Sequence, residues 1–395
     1  MADTSSITIQ QAFQTPFVKG VISQFPTPDY ALQRAYGAMT NRTFTPVRTF
    51  AWDQFNKTRT LATLKAPMTD AATIRKQKIG TAWGSLVRVA EKLQIFDEEI
   101  ANLRPPGAPI GTLDQRGEQW AVRQINFMSQ RHSNLMEYLL SKTLQGGFGL
   151  AGSAEQLYVT DLDASGNMFD VTMNIPAANK GQLALRDDGS DIIDTPWSDA
   201  SADLVDQFMA LRRAAIRLTG YEPSMCWCSS QVIAWLMNNV SLQSIAGSAN
   251  RVWNSVSGQP AVNVDPAGRN LGGLSVRFNA IPWVTFRVND AVVSVGSSTN
   301  PQGSDGTAVA DVTRIIPLNK VIFTPEPDNE WMTIYEGHEP VQEQVNSSPT
   351  FIRGFHTWSR RMLWAMPPSR EAYMLDNFMP AIRIPNSVFV ATVDF

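Results

Sequence analysis

A long amphipathic segment at residues 112–145 constrains the fold more than any other feature of the chain. Its apolar positions recur at steps of three and four residues, as on one stripe of a helix: Ala121, Ile125, Met128, His132, Leu135 and Leu139. Thr112 and Gln115 have the spacing of a capping box, and Gly146-Gly147 supplies a stop. At ~1.5 Å per residue the helix spans about 50 Å, longer than most compact domains need. We therefore expect an elongated core with this helix as its spine.

The rest of the chain mixes helical and strand patterns, which predicts an α+β fold. A helix over residues 201–218 stops at Gly220, and a buried strand at 224–228 and a second helix at 231–239 follow it. This order with short links is typical of α/β construction. Residues 148–185 predict a β-hairpin with its turn at 163–167. Further strands are predicted at 274–278, 283–288, 320–324, 331–335, 356–364 and 388–393.

Charge is segregated along the chain. Residues 42–92 hold ten basic and three acidic side chains, whereas residues 155–206 hold eleven acidic and two basic ones, although the net charge of the whole chain is only −3. The basic segment is rich in threonine and partly alternating, which predicts a long hairpin with a polar tip. Because a two-stranded hairpin is barely stable alone, we expect it to lie on another surface.

Opposite charges on identical chains suit head-to-tail contacts between copies. We therefore assign candidate residues for contact between subunits. The basic set is Lys57, Arg59, Lys65, Arg75, Lys76 and Lys78, and the acidic set is Asp187, Asp188, Asp191 and Asp194. Two solvated faces without a partner explain the same charge counts, because net charge does not specify a partner.

No pattern of residues indicates catalysis. The three histidines, His132, His338 and His356, are too dispersed to predict a metal centre, and no nucleophile or phosphate-binding motif occurs. Cys226 and Cys228 are expected to be core residues on opposite faces of their strand, and hence not a working pair. We assign no catalytic residue, no cofactor and no metal site, and we expect the protein not to be an enzyme. A hydrolase or metal enzyme with a dispersed site is the alternative from another class.

Composition narrows the class of protein further. A 43% hydrophobic and 17% charged composition excludes an intrinsically disordered chain. No 18-residue apolar run and no secretory signal pattern are present, so we expect neither a membrane partner nor export. Eleven tryptophans favour a protein with many contacts, since large aromatic side chains are enriched in cores and at the centres of interfaces.

The order of these features resembles the major capsid proteins of tailed bacteriophages, and most of all the lambda-type capsid protein E family. The resemblance rests on the arm, basic hairpin, spine helix and acidic hairpin in sequence, and on the motifs that follow them. These motifs are Phe169-Asp170-Val171, Trp197-Ser198-Asp199, Gly220-Tyr221-Glu222-Pro223, Ile316–Phe323, Tyr335-Glu336-Gly337, Trp364–Pro368 and Pro385–Ala391.

The resemblance implies the tailed-phage major capsid fold, with an N-terminal arm, an extended E-loop hairpin, a P-domain with the long spine helix and an α/β A-domain. By position, the arm is residues 1–45, the E-loop hairpin 46–92 and the P-domain 93–199, with the spine helix at 112–145. The A-domain is 200–310, and residues 311–395 return as strands to the A- and P-domains.

The resemblance also implies a function. The chain is expected to assemble as pentamers and hexamers into an icosahedral shell around double-stranded DNA, in the virion, after assembly in the host cytoplasm. An encapsulin-like protein nanocompartment is the alternative within the same fold. The expected partners are the chain itself, a separate scaffolding protein, a portal and DNA bound without sequence specificity, and a decoration protein is left open.

Overall fold

A computed structural model describes residues 30–37, 42–47, 49–55, 79–96, 115–148, 171–246, 275–278, 280–294, 312–327, 330–341, 350–353, 356–362 and 369–395. The helices in these ranges are α1 (Gln115–Gln145), α2 (Leu204–Thr219), α3 (Ser230–Asn238) and α4 (Val240–Ala246), with shorter helical turns at Gln33–Gly37, Ala177–Asn179 and Pro385–Ser387. The strands are β1 (Arg42–Thr45), β2 (Thr49–Phe55), β3 (Ile79–Ser85), β4 (Val87–Phe96), β5 (Gly147–Phe148), β6 (Val171–Thr172), β7 (Lys180–Gly181), β8 (Met225–Cys228), β9 (Ser275–Val276), β10 (Thr285–Val288), β11 (Val292–Ser294), β12 (Val312–Arg314), β13 (Lys320–Thr324), β14 (Met332–Val341), β15 (Thr350–Arg353), β16 (His356–Met362), β17 (Ser369–Ile382) and β18 (Phe389–Thr392).

The predicted spine helix is confirmed as α1. Met128, His132 and Leu139 on its stripe are buried, and Leu135 is half-buried against the core. The helix ends at Gly146 and Gly147, whose φ angles of 115° and 137° favour glycine. The other stripe positions, Ala121 and Ile125, and the capping residue Thr112 lie outside the described side chains.

The C-terminal half of α1 is more deeply buried than one stripe predicts. Eight successive side chains are buried there: Glu137, Tyr138, Leu139, Leu140, Ser141, Lys142, Thr143 and Leu144. A helix buried on all sides is surrounded by other elements instead of lying on a surface. This end of the spine is therefore enclosed by other described elements of the chain.

One six-stranded sheet carries the strand order β1-β14-β17-β16, with β15 on β14 and β4 on β17. The 14-residue strand β17 is its axis and pairs with β4 over ten positions, from Ser369 opposite Phe96 to Phe378 opposite Val87. The sequence prediction missed β17 because Pro380 interrupts it. Pro380 lies beyond the β4 pairing, where β17 borders β14 alone, so a missing N–H is tolerated.

The predicted basic hairpin has a base made of β2 and β3, paired from Thr49 opposite Ser85 to Phe55 opposite Ile79. Alternate side chains of β2 point into the core, with Phe50 and Trp52 buried and Ala51 exposed between them. The base of the hairpin thus lies on its own chain, whereas the polar tip, 56–78, lies outside the described residues.

A second six-stranded sheet has the order β7-β18-β13-β8-β10-β9. All four residues of β8 are buried, as expected for a central strand covered on both faces. Met225 and Trp227 belong to the hydrophobic core that also contains α1, whereas Cys226 and Cys228 belong to a second core with α2 and α3. The expectation that the two cysteines face opposite sides is therefore wrong, because residues two apart on a strand share a face.

The elements around β8 follow the predicted pattern closely. Helix α2 begins at Asp203, whose carboxylate accepts the Asp206 N–H at 3.2 Å, and ends at Gly220 with a φ of 77°. Ser229 precedes α3 as its N-cap residue. The hairpin predicted at 148–185 is described only where β5 and β6 pair, and its predicted turn lies outside the described residues.

Candidate subunit interface

The four acidic candidates lie in one loop, residues 182–201, between β7 and α2. Its apolar side chains Leu183, Leu185, Ile192 and Ile193 are buried in the second core. Between them the backbone reverses, with the Gly189 N–H bonded to the Arg186 carbonyl at 3.0 Å and a φ of 79° at Gly189. The buried residues thus fix the loop, and residues 187–190 project to solvent. We call residues 187–191, which include the half-buried Asp191, the acidic turn.

Asp188 is held in place within this turn by Ser190. Its Oδ1 accepts hydrogen bonds from the Ser190 N–H at 2.9 Å and the Ser190 hydroxyl at 2.6 Å. These hydrogen bonds lower the pKa of the Asp188 carboxyl, so the group is ionised at neutral pH. The bonds also fix the direction in which its negative charge is presented.

Arginines of the same chain offset much of the acidity that the sequence count indicates. Asp187 forms an ion pair with Arg217 on α2. Arg186 forms two further ion pairs, with its Nη2 lying 3.3 Å from Asp194 Oδ2 and 3.0 Å from Asp206 Oδ2. The charge count included Arg186 but ended at residue 206, so it missed Arg217 on α2.

The charges of two candidates are less fully offset, although Arg186 still helps to lower the pKa of the Asp188 carboxyl. Within the described ranges, neither Asp188 nor Asp191 forms an ion pair, and the Asp191 backbone carbonyl accepts a bond from Arg186 Nε at 3.1 Å. The structure therefore divides the four acidic candidates into a paired couple, Asp187 and Asp194, and an unpaired couple, Asp188 and Asp191.

The six basic candidates belong to the segment that joins β2 to β3 and lie outside the described residues. They are Lys57, Arg59, Lys65, Arg75, Lys76 and Lys78. The ends of this segment are fixed, because the Phe55 N–H bonds to the Arg383 carbonyl at 3.0 Å and Phe55 pairs with Ile79. Contact between the basic and acidic sets therefore stays a prediction.

The outer face of the hairpin base carries large exposed apolar side chains that sequence reasoning missed, beside the exposed polar residues Asp53 and Thr81. Trp83 is 71% exposed and Ile79 is 64% exposed, and both lie on β3. Ala51 of β2 pairs with Trp83 and is exposed beside it. We call Ala51, Ile79 and Trp83 the hairpin patch. The alternating pattern of β3 was a usable signal, but it does not reveal which face turns to the body of the protein.

Of the histidines and cysteines weighed as catalytic or metal-binding residues, those whose side chains the structure describes lie in the core. His132 is buried, and burial and then the charge of Arg131 lower its pKa to about 4, so its imidazole is neutral. Cys226 and Cys228 are free and buried, and burial raises the pKa of the Cys226 thiol. The side chains of His338 and His356 lie outside the description.

The described part of the chain contains neither a candidate metal site nor a candidate membrane-spanning helix. No group of three or more His, Cys, Asp or Glu side chains there is arranged to hold a metal ion. No helix there combines the length and apolar character needed to span a membrane.

Comparisons with known proteins bear on the whole chain. The phage major capsid protein E family model matches residues 18–350. No curated protein matches the sequence significantly. A putative capsid protein of a prophage of Escherichia coli CFT073 is similar in structure, with a TM-score of 0.51 at 9% identity over 96% of this chain and 99% of that one.

Two further solved structures are less similar. The mature capsid of bacteriophage PhiM1 has a TM-score of 0.43 at 12% identity, over 89% of this chain and 85% of that one. An encapsulin complex from Synechococcus elongatus PCC 7942 has a TM-score of 0.38 at 12% identity, over 89% of this chain and 85% of that one. The prophage protein of Escherichia coli carries the structural argument: its likeness to this chain shows a shared fold.

Proposed function

The chain belongs to the phage major capsid protein E family, and from this premise we propose that it builds an icosahedral shell of pentamers and hexamers around double-stranded DNA. The family match over residues 18–350 is the observation that carries the proposal. A capsid protein is a structural component of the virion, and the mixed helix-and-sheet fold agrees with that role.

The basis for self-assembly is geometric. A subunit that presents different surfaces to its two neighbours makes heterologous contacts, which close into rings. The hairpin patch and the acidic turn are two such surfaces, on different elements of the fold. Each contact can be weak, because a closed ring makes every copy contribute several of them at once.

We propose that the hairpin of one copy lies on a second copy. The support is that Trp52 and Phe50 anchor the hairpin base on its own chain, while Trp83 and Ile79 remain exposed on the other face. Aromatic side chains of this kind are enriched in protein interfaces. A second copy of the chain is the occupant because a shell places identical copies side by side.

We propose that the basic segment 56–78 meets the acidic turn of the neighbouring copy. Asp188 and Asp191 are the first contacts, since Asp187 and Asp194 already pair with arginines of their own chain. Complementary charge of this kind sets orientation and encounter rate more than affinity. The expected result is an interface whose formation weakens as salt is added.

The proposed partners beyond the chain itself are a separate scaffolding protein, a portal and the packaged DNA. A net charge of −3 suits a shell that does not trap DNA, because basic contacts with phosphates create such attachment. Mass spectrometry of purified procapsids tests this part of the proposal. A second abundant internal protein is expected, and its absence would argue against separate scaffolding.

Electron microscopy of the overexpressed, purified full-length chain tests the proposal as a whole. Closed particles of megadalton mass are expected by size-exclusion chromatography. A stable monomer or dimer would overturn the proposal and favour an enzyme, whereas free pentamers or hexamers are expected if closure of the shell needs the separate scaffolding protein. Particles from host cells that enclose a cargo protein and no nucleic acid would favour the encapsulin-like alternative instead.

A further inference from the structure

A short helical turn near the start of the described chain, residues 30–37, contacts three separate elements. Tyr30, Leu32 and Tyr36 are buried, and this stretch belongs to the predicted N-terminal arm. The Tyr30 hydroxyl donates to Asn134 Oδ1 at 2.7 Å, and Gln33 Nε2 donates to the Ser133 carbonyl. The turn therefore lies along α1, and we call residues 30–37 the arm turn.

Glu137 of α1 is the first polar centre of this contact. Its side chain is fully buried, and its two carboxylate oxygens accept the backbone N–H groups of Leu32 at 2.9 Å and Gln33 at 2.8 Å. These N–H groups belong to the first turn of a helical segment, where intrahelical partners are lacking. A buried carboxylate is stable only with such donors, so Glu137 and the arm turn depend on each other.

The same carboxylate reaches the second sheet. Asn289 Nδ2 donates to Glu137 Oε1 at 2.9 Å. The backbone N–H of Asn289 is itself bonded to the carbonyl of Cys228, the last residue of β8, at 2.9 Å. Glu137 thus connects the arm turn, the spine helix and the end of a central strand through one carboxylate.

Tyr36 is the second polar centre. Its hydroxyl accepts the indole N–H of Trp227 at 2.8 Å and lies 3.0 Å from Thr324 Oγ1, on β8 and β13 of the second sheet. Burial raises the pKa of Tyr36 to about 12, so the phenol keeps its proton and can donate it to Thr324. The Tyr36 ring also lies edge-on to Trp331, which precedes β14 of the first sheet, with the ring centroids 5.7 Å apart.

The remaining contact between α1 and the second sheet is largely apolar. Trp227 and Ile322 pack in the core that contains α1. Apolar burial is not directional, so it favours contact without fixing an angle, whereas hydrogen bonds are directional. Ser141 supplies a polar tie beside the sheet, since its hydroxyl donates at 2.6 Å to the carbonyl of Ile315, in the segment between β12 and β13.

We infer that the arm turn is a latch that fixes the orientation of the second sheet against the spine helix, through the hydrogen bonds of Glu137 and Tyr36. The orientation of the second sheet against the spine helix then depends on the arm turn, a segment of only eight residues. Removing either polar centre loosens this orientation without removing either hydrophobic core. Glu137 and Tyr36 are accordingly positioning residues.

The test compares Tyr36→Phe and Glu137→Gln with a matched control, Tyr138→Phe, in the purified full-length chain. Tyr138 is buried on α1, next to Glu137, and its hydroxyl has no hydrogen-bond partner among the described residues. Spin labels at Arg123→Cys on α1 and Gln231→Cys on α3 report the orientation, because both positions are exposed whereas the native cysteines are buried. Circular dichroism and sedimentation establish that every variant is folded and in the same assembly state as the parent.

The expected result is a broadened or shifted distance distribution between the labels in Tyr36→Phe and in Glu137→Gln, and a parental one in Tyr138→Phe. In Glu137→Gln, hydrogen exchange at the Leu32 and Gln33 amides is expected to be about ten to a hundred times faster, as for the loss of hydrogen bonds to a charged group. A parental distance distribution in both variants, with fast exchange confined to the arm turn, would overturn the latch: the Ser141 tie and the apolar contact would then be sufficient. Unfolding of Glu137→Gln alone leaves Tyr36→Phe to decide.

Discussion

The indole N–H of Trp52 donates a hydrogen bond to the backbone carbonyl of Ile382 across 3.1 Å, and it thereby fixes the base of the hairpin to β17 of the same chain. Gln54 Nε2 donates to the same carbonyl at 3.1 Å and to the Met173 carbonyl at 3.2 Å. The hairpin base therefore has an intramolecular anchor, and among its described residues it is the outer face that stays exposed.

Trp52→Phe is expected to destabilise the subunit itself. The substitution removes one buried hydrogen bond and leaves a small cavity, which together cost about 1–3 kcal/mol of unfolding free energy. Denaturant unfolding of dissociated subunits measures this loss. An unchanged unfolding midpoint would mean that the hairpin base contributes nothing to the stability of its own chain.

Trp83→Ser is expected to leave the stability of the subunit nearly unchanged and to impair assembly. Because Trp83 is exposed, its loss changes the unfolding free energy by no more than about 0.5 kcal/mol. Particle yield falls, because the neighbouring copy loses an aromatic anchor. Trp83→Phe keeps most of the apolar surface and serves as the conservative control. Full particle yield from Trp83→Ser, measured by sedimentation, would exclude the hairpin patch from the contact between copies.

Local patterns were sufficient to predict part of this fold. The spine helix and the strand Lys320–Thr324 were predicted closely, because hydrophobic periodicity and glycine stops act within a few residues. Strand β17 was missed, because its place in the sheet depends on β4, almost three hundred residues away in sequence. No local pattern reports such a pairing when a proline such as Pro380 lies inside the strand.

Local sequence patterns were also insufficient to predict the candidate interface. Counting charges along the sequence found the acidic turn, but not that Arg217, in the last turn of α2, would pair with Asp187. Trp52 and Trp83 both lie in alternating segments of one hairpin, yet one is buried and the other exposed. Only tertiary packing decides which face of a strand turns inward.

Reversing the charge of Lys76 and Lys78 together is expected to impair assembly and leave the subunit folded. Repulsion between the reversed side chains and the neighbour's acidic turn slows association. Adding Asp188→Lys and Asp191→Lys is expected to restore part of the particle yield, whereas Lys76→Gln with Lys78→Gln gives an intermediate yield. Light scattering during assembly measures the rates. Normal particles from the Lys76/Lys78 reversal alone would remove these lysines from the interface.

His132 is expected to make the subunit less stable in acid. Its folded pKa of about 4 lies below its ordinary value of 6.5, so the unfolded chain takes up a proton first as the pH falls. The stability contributed by the neutral imidazole is complete above pH 6.5 and declines towards pH 4, by on the order of 2 kcal/mol. His132→Gln removes this decline. Parallel stability curves for parent and variant between pH 7 and 4.5 would contradict the assignment.

Asp376 lies where three strands of the first sheet diverge. On one side, Asp376 pairs with Val89 of β4. On the other side it falls between the end of the β16 pairing, at Leu375, and the start of the β14 pairing, where Phe378 lies opposite Glu336. Burial and then the Glu336 carboxylate raise the pKa of Asp376 to about 7, although Arg42 acts in the opposite direction. Arg42 belongs to β1 and forms an ion pair with Glu336, so the cation that offsets both carboxylates comes from the arm side of the chain.

The raised pKa of Asp376 predicts the reverse pH dependence from that of His132. The folded state holds the proton more tightly than the unfolded chain, whose carboxyl titrates near 3.8. The stability contributed by the protonated form is therefore complete below about pH 4 and is lost as the pH rises through 7. Asp376→Asn mimics the protonated side chain, so the unfolding free energy of the parent should fall relative to the variant between pH 5 and 8, by on the order of 2 kcal/mol. Because His132 is present in both chains, its contribution cancels in the difference. A difference that stays constant from pH 5 to 8 would show that Asp376 is already ionised throughout this range, and that Arg42 outweighs the repulsion from Glu336.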